Sequence, residues 1–313
     1  MKLNFFKYIK IFLLLPVFLF ALRNEPIIPI PQTIKYDREK ALLGKELFFD
    51  TSISEDGTVS CASCHSPRFG GADPRPVSIG VYGKLGNIQS PTVYNSVYNF
   101  RQFWNGRARD LNEQIDGPTH NPVEMGLNKE KVEKILNNNK RYKKLFQKIY
   151  HKNKITYDMF KDAIVEFETA LITPDCRFDK WLRGEIPLSK EEKEGYLLFK
   201  KFGCITCHNG INIGGNSFQK IGVVHSVKNR VGDLFEVTKN PIDKFVYKVP
   251  TLRNIALTAP YFHNAETDSL SEAVQNMAYY NLGLYLSEDD NKKIVSFLKS
   301  LTGKKPKILE DGE

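Results

Sequence analysis

Cys61-Ala62-Ser63-Cys64-His65 is written into this chain twice, since Cys204-Ile205-Thr206-Cys207-His208 repeats its pattern in the second half. Two cysteines separated by two residues, with a histidine directly after, form the attachment signature of a c-type haem. The thiols add across the two vinyl groups of the porphyrin, which holds the histidine beneath the iron as its proximal ligand. Only one of the five cysteines lies outside the motifs, so no further pair is available to complete a tetrahedral zinc centre. Disulfides would explain the cysteines but not a histidine after each pair. The motifs predict two covalently bound haem c groups, on Cys61, Cys64, Cys204 and Cys207, with His65 and His208 as iron ligands.

The repetition extends past the motifs. Gly44-Lys45-Glu46-Leu47-Phe48 precedes the first and Gly195-Tyr196-Leu197-Leu198-Phe199 the second, with Thr51–Thr58 as an insertion in the first copy. Downstream, Pro91-Thr92-Val93-Tyr94-Asn95 matches Pro250-Thr251-Leu252-Arg253-Asn254, and Leu111 and Leu270 follow the two prolines at the same distance. This self-similarity predicts two copies of one haem domain, an internal duplication. Apolar periodicity predicts helices over Asp37–Phe49, Lys129–Tyr150, Thr156–Leu171 and Glu288–Leu301, and Ser189 with Glu192 forms a capping box for another. No long strand pattern is evident, so the fold class is mainly α. Pro174-Asp175 breaks the helical pattern between the copies, which places the domains at residues 23–174 and 175–313.

Residues 1–22 read as a signal peptide or N-terminal anchor. Lys2, Lys7 and Lys10 precede the apolar run Ile11–Leu22, which is short for a membrane span. Export to the periplasm agrees with the haem chemistry, because c-type haem is attached outside the bacterial cytoplasm. The formal net charge of +9 comes from scattered lysines. No basic block interleaved with aromatics suggests nucleic acid as a partner, and an acidic electron-transfer partner suits such a surface.

What differs between the copies points to function. A haem with two strong axial ligands moves electrons, and one with an open face binds and activates small molecules. The second copy offers Met277, on a predicted helix Leu270–Met277, as the ligand opposite His208. The first copy has Pro118 at the matching place, with the polar Gln114, His120 and Glu124 nearby.

Several stretches resemble the bacterial dihaem cytochrome c peroxidase family, over about Asp37 to Gly303. They are Phe103-Trp104-Asn105-Gly106-Arg107-Ala108-Arg109-Asp110-Leu111, Val123-Glu124-Met125, Leu171-Ile172-Thr173-Pro174-Asp175, Cys207-His208-Asn209-Gly210-Ile211-Asn212, and Leu252-Arg253-Asn254 through Ala259-Pro260-Tyr261-Phe262-His263. The resemblance implies two cytochrome c-like helical domains with a calcium ion between them. It implies His65 at a peroxidatic haem with Glu124 and Gln114 on its open face, His208 and Met277 at an electron-transfer haem, and Trp104 as relay. The implied calcium ligands are the Gln89 side chain, in place of the usual asparagine, and the carbonyls of Thr258 and Pro260. Hydrogen peroxide as substrate, a small reduced cytochrome c or cupredoxin as donor, and a homodimer come with it.

One departure is informative. Many family members carry a histidine in the loop after the first motif that caps the peroxidatic iron at rest. Here Val81 stands at that position, and no histidine occurs between His65 and His120. An oxidised first haem that is open without prior reduction is therefore expected, with Tyr82 the one alternative ligand in the loop. The related enzymes resembling the methylamine dehydrogenase maturation protein also lack the cap, oxidise protein Tyr or Trp residues, and use tyrosine at the second haem. Met277 favours the peroxidase, although Tyr279 and Tyr280 lie close by. A non-catalytic electron-transfer cytochrome is the third reading. His120, His151, His225 and His263 are read as non-ligands and Cys176 as a structural thiol.

Overall fold

The computed structural model describes residues 25–310; the targeting segment expected at residues 1–22 lies outside them. Helix α1 (Arg38–Phe49) leads to the single turn α2 (Cys61–Cys64) of the first motif, then to α3 (Leu111–His120), α4 (Lys129–Asn138), α5 (Lys140–Tyr150) and α6 (Tyr157–Thr169). The second half comprises α7 (Arg177–Leu182), α8 (Lys190–Lys201), α9 (Phe235–Thr238), α10 (Leu270–Met277) and α11 (Glu288–Lys299), with an antiparallel ribbon of β1 (Phe218–Lys220) and β2 (Val246–Lys248). Among the described residues no helix is long and apolar enough to cross a membrane.

Side-chain caps explain where the helices begin. Asp37, Asp110, Thr156, Ser189, Ser269 and Ser287 each accept a backbone N–H in the first turn, and Ser189 and Glu192 form the expected capping box. The helix expected over Lys129–Tyr150 is two helices instead. Asn139 ends α4, and its side chain accepts from the N–H groups of Arg141 and Tyr142, which restarts the chain as α5. Apolar periodicity runs through that break, so only the capping chemistry of an asparagine marks it.

Each half is built on one helix crossing. Gly44 of α1 meets α6 backbone to backbone, and a Cβ there would lie 1.9 Å from the Ala163 carbonyl oxygen. Gly195 of α8 meets α11 the same way, 1.9 Å from that of Lys293. Close approach lets Phe48 pack on Phe167 and Phe199 on Phe297, each pair with ring centroids 5.1 Å apart. Around the first crossing lies a core that includes Leu47, Phe146, Phe160 and Phe167; around the second, one that includes Phe178, Tyr196, Phe199 and Phe297.

The halves meet at a polar seam. Asn95 and Asn254 both take left-handed backbone, φ 61° and 60°, a conformation asparagine tolerates better than most residues. Their N–H groups donate to Leu171 and Leu301, the residues that follow α6 and α11, at 3.0 and 3.2 Å. Both side-chain amides then donate to the single Thr173 hydroxyl, at 2.8 and 2.9 Å. The chain ends also exchange: Ile27 packs in the second core, whereas Ile308 and Leu309 pack in the first. Lys45 Nζ donates to the Leu309 carbonyl at 3.0 Å.

The glycine crossings set a stability test. Gly44→Ala and Gly195→Ala each force a methyl group into a carbonyl, and overpacking of this kind costs about 1–3 kcal/mol. Gly86→Ala meets nothing nearer than 3.6 Å and should leave thermal unfolding unchanged, while both crossing variants melt lower.

Candidate functional site

The first motif opens onto a cavity of about 420 Å³ whose lining includes Cys61, Cys64, His65, Gln114, Glu124 and Glu168. The Cys61 and Cys64 thiols form no disulfide. Burial pushes the Cys61 thiol up to about 12, so it stays protonated near neutral pH. His65 Nδ1 lies 3.1 Å from the Pro91 carbonyl. Burial lowers the pKa of the ring, which keeps it neutral and, with Nδ1–H donating to that carbonyl, leaves Nε2 free to bind iron. Two open thiols, a neutral histidine and an adjoining void fit a covalently held haem.

The two residues singled out from sequence, Gln114 and Glu124, line the same cavity as the histidine. Gln114 and Pro118 stand one turn apart on α3 and both line the cavity. Proline has no N–H, so the Gln114 carbonyl receives no hydrogen bond from the following turn. Glu124 lies on the loop after α3, held by Asn121 Nδ2 at 2.7 Å. Desolvation raises its pKa, opposed by that hydrogen bond and by the Arg107 charge. His65 is the sole histidine among the lining residues. Val81 is fully buried, with its N–H on the Glu124 carbonyl at 2.9 Å. Tyr82 is 63% exposed and outside the lining, so its place does not favour it as a cap.

One acidic residue of the lining was missed from sequence. Glu168 on α6 is buried, and desolvation raises its pKa to about 8. In sequence it is one acidic residue in an apolar stripe; only the packing reveals that its carboxyl looks into a cavity.

At the second motif, Cys204 and Cys207 are likewise unbridged. His208 Nδ1 lies 3.4 Å from the Ile213 carbonyl, its ring packs near Phe199, and burial lowers its pKa to about 4. Met277 is the last residue of α10 and runs into a π-helical turn, Ala278–Leu282, a feature often found at functional positions.

Trp104 bridges the halves. Its Nε1 donates to the Gln89 carbonyl at 2.9 Å, its own carbonyl accepts from Lys248 N–H at 2.8 Å, and its ring meets those of Tyr247 and His263 edge-on. Gln89 is buried, with Nε2 on the Asp73 carbonyl at 3.3 Å and its N–H on the His263 carbonyl at 3.0 Å. Thr258 directly precedes the cis Ala259–Pro260 bond, of which Pro260 is a part, and among the described residues no hydrogen bond joins Thr258 or Pro260 to Gln89.

The remaining histidines have other partners or lie on the surface. His120 Nε2 lies 3.0 Å from the Tyr157 hydroxyl, and His225 stacks on Tyr279 with centroids 4.1 Å apart. His263 stacks on Tyr247 at 4.3 Å, and His151 is the exposed cap of α5. Cys176 caps α7, its sulfur accepting from the Asp179 N–H at 3.2 Å, and burial pushes the thiol up to about 12.

Fold and site together define a mainly helical protein with two haem groups. A family model described as di-haem cytochrome c peroxidase matches residues 38–186. Cytochrome c551 peroxidase of Nitrosomonas europaea is 46% identical over 286 residues, 90% of this chain and 86% of its own length. Cytochrome c peroxidase Ccp of Escherichia coli is 44% identical over 296 residues, 92% of this chain and 63% of that protein. The crystal structure of a MauG-like protein associated with microbial copper homeostasis matches at TM-score 0.78 and 26% identity, over 90% of this chain and 94% of that one. The chain belongs to the di-haem cytochrome c peroxidase family and is an enzyme of the peroxidase class.

Glu168 sets a pH test. Between the ordinary carboxyl value of 4.5 and the raised value of about 8, the folded chain keeps a proton that the unfolded chain releases. Stability contributed by that proton is present at low pH and falls as pH rises through this window. The melting temperature of Glu168→Gln should therefore gain on wild type from about pH 5 to pH 8, as read by thermal unfolding.

Proposed function

We propose that this protein is an exported dihaem peroxidase that reduces hydrogen peroxide to water with electrons from a small periplasmic donor, a reduced cytochrome c or a cupredoxin. The observation that carries the reading is a single cavity whose lining brings Cys61, Cys64 and His65 together with Gln114 and Glu124, with no second histidine in that lining. The balanced reaction joins one peroxide, two electrons and two protons to give two waters. When bound, the first haem supplies the iron at which peroxide is held and to which electrons are delivered.

The side chains do the rest. Glu124 takes the proton from one peroxide oxygen and returns it to the other; its burial raises the carboxylate's proton affinity, which suits it to accept that proton. Asn121 fixes the Glu124 carboxylate, and Gln114 orients peroxide through its side-chain amide. Met277 would join His208 in holding the second haem, where a thioether ligand would raise the haem's potential, and Trp104 would carry electrons between the halves. Val81 in the first loop offers no ligating atom, so the His65 haem would be open to peroxide in the fully oxidised protein. A calcium ion on Gln89, Thr258 and Pro260, a homodimer, and descent from a duplicated haem domain, supported by the twin glycine crossings, complete the proposal.

Steady-state oxidation of a reduced small cytochrome c by hydrogen peroxide tests it. Fully oxidised protein should turn over at once and show a high-spin haem signal. Turnover only after partial reduction would keep the activity and reject the open first haem. No turnover, with a long-lived oxidised species after peroxide, would move the reading to oxidation of a protein substrate. Glu124→Gln should lower kcat by roughly 10²–10⁴-fold and remove the loss of rate that wild type shows as falling pH protonates Glu124.

A further inference from the structure

Three cations are buried among the described residues: Lys161, Lys248 and Arg253. Lys161 pairs with Asp116 at 3.1 Å and Arg253 with Asp179 at 2.7 Å. Lys248 is the exception. It is 7% exposed, and among the described residues no carboxylate or other acceptor pairs with its Nζ. Burial alone lowers its pKa to about 8. A lysine whose side chain is this far buried without a counter-charge is disfavoured in its charged form by desolvation, so a site that keeps one suits an anion that arrives separately.

The surroundings identify the anion. On β2, Tyr247 directs its ring to His263 and Trp104, so Lys248, the next residue, points to the opposite face, shared with its cross-strand partner Phe218. The strand is laced to the loop that follows Cys207-His208. Gly215 N–H donates to the Val249 carbonyl at 2.7 Å, and Val249 N–H to that of Ser217 at 3.0 Å. Leu252 N–H reaches the Ile213 carbonyl, the group that holds His208 Nδ1. A haem anchored through its vinyl groups presents two carboxylates at its opposite edge. In the first half the position two residues before the matching proline is Gln89, uncharged, where the second half has Lys248. We infer that Lys248 is the counter-ion of a propionate of the haem held by Cys204, Cys207 and His208, and that its charge holds that haem's reduction potential above that of a haem lacking it.

The inference rests on the two-haem reading above, which a separate count tests: pyridine haemochromogen absorbance should give two haems per chain. Potentiometric titration of the haem-loaded full chain, followed at the low-spin and high-spin bands, then tests the pairing. Lys248→Met removes the positive charge that offsets the propionate, which favours ferric iron. Its low-spin His208 haem should fall about tenfold in its reduction equilibrium, ~59 mV for one electron, with the His65 haem little changed. Lys248→Arg should restore the wild-type midpoint. An unchanged low-spin midpoint, a shift confined to the His65 haem, or recovery of the Lys248→Met midpoint with added chloride or acetate would overturn the pairing. If Lys248→Met does not load, Lys248→Gln gives the same reading. Loss of the second haem in both neutral variants but not in Lys248→Arg would support the pairing, and its loss in all three would overturn it.

Discussion

One guanidinium organises the second half of the molecule. Arg253 is almost wholly buried and spends its donors on four groups from three separate stretches: the Asp179 carboxylate at 2.7 Å, the Cys176 sulfur at 3.5 Å, and the carbonyls of Ile211 and Ile28, each at 2.8 Å. These are the start of α7, the loop after the second haem motif, and the incoming N-terminal segment. A buried ion pair adds little net stability compared with apolar packing, but breaking one from a single side costs about 3–5 kcal/mol. Arginine is suited to this position because a planar fork of five donors can satisfy several acceptors at fixed angles. The loop that presents His208 is held where that fork places it.

The same logic of satisfying polar groups runs through the seam. Two asparagines in left-handed backbone close the two haem loops onto the residues after α6 and α11, and Thr173 serves both. The halves therefore share a frame, and their chemistry is separated by a few side chains hung on it. Where α10 ends in Met277, α3 contains Pro118 and points Gln114 into a void. Where the second half carries Lys248, the first carries Gln89. Similar scaffolds that differ in a few residues near the two motifs suit two haem groups with different tasks.

Much of this was readable along the chain. The two Cys-x-x-Cys-His motifs declare themselves because their spacing is fixed and repeated, and the helices because caps and apolar stripes are local. Gln114 and Glu124 were placed at the first motif by resemblance, and both line its cavity. Met277 was placed on the correct helix because Leu270–Met277 has its own cap and period. The break at Asn139 was lost because its signal, an asparagine in a polar stretch, is indistinguishable from a solvated helix surface.

Motifs, element types and the residue chemistry of the first site thus follow from order along the chain, where covalent spacing and short-range hydrogen bonding operate. The exchange of chain ends between the cores, the service of two asparagines by one threonine, and the isolation of Glu168 and Lys248 do not. Each depends on what lies beside a residue from distant parts of the chain. A glutamate or lysine reads in sequence as a solvated charge, and only its surroundings in the fold make it a buried group without a partner.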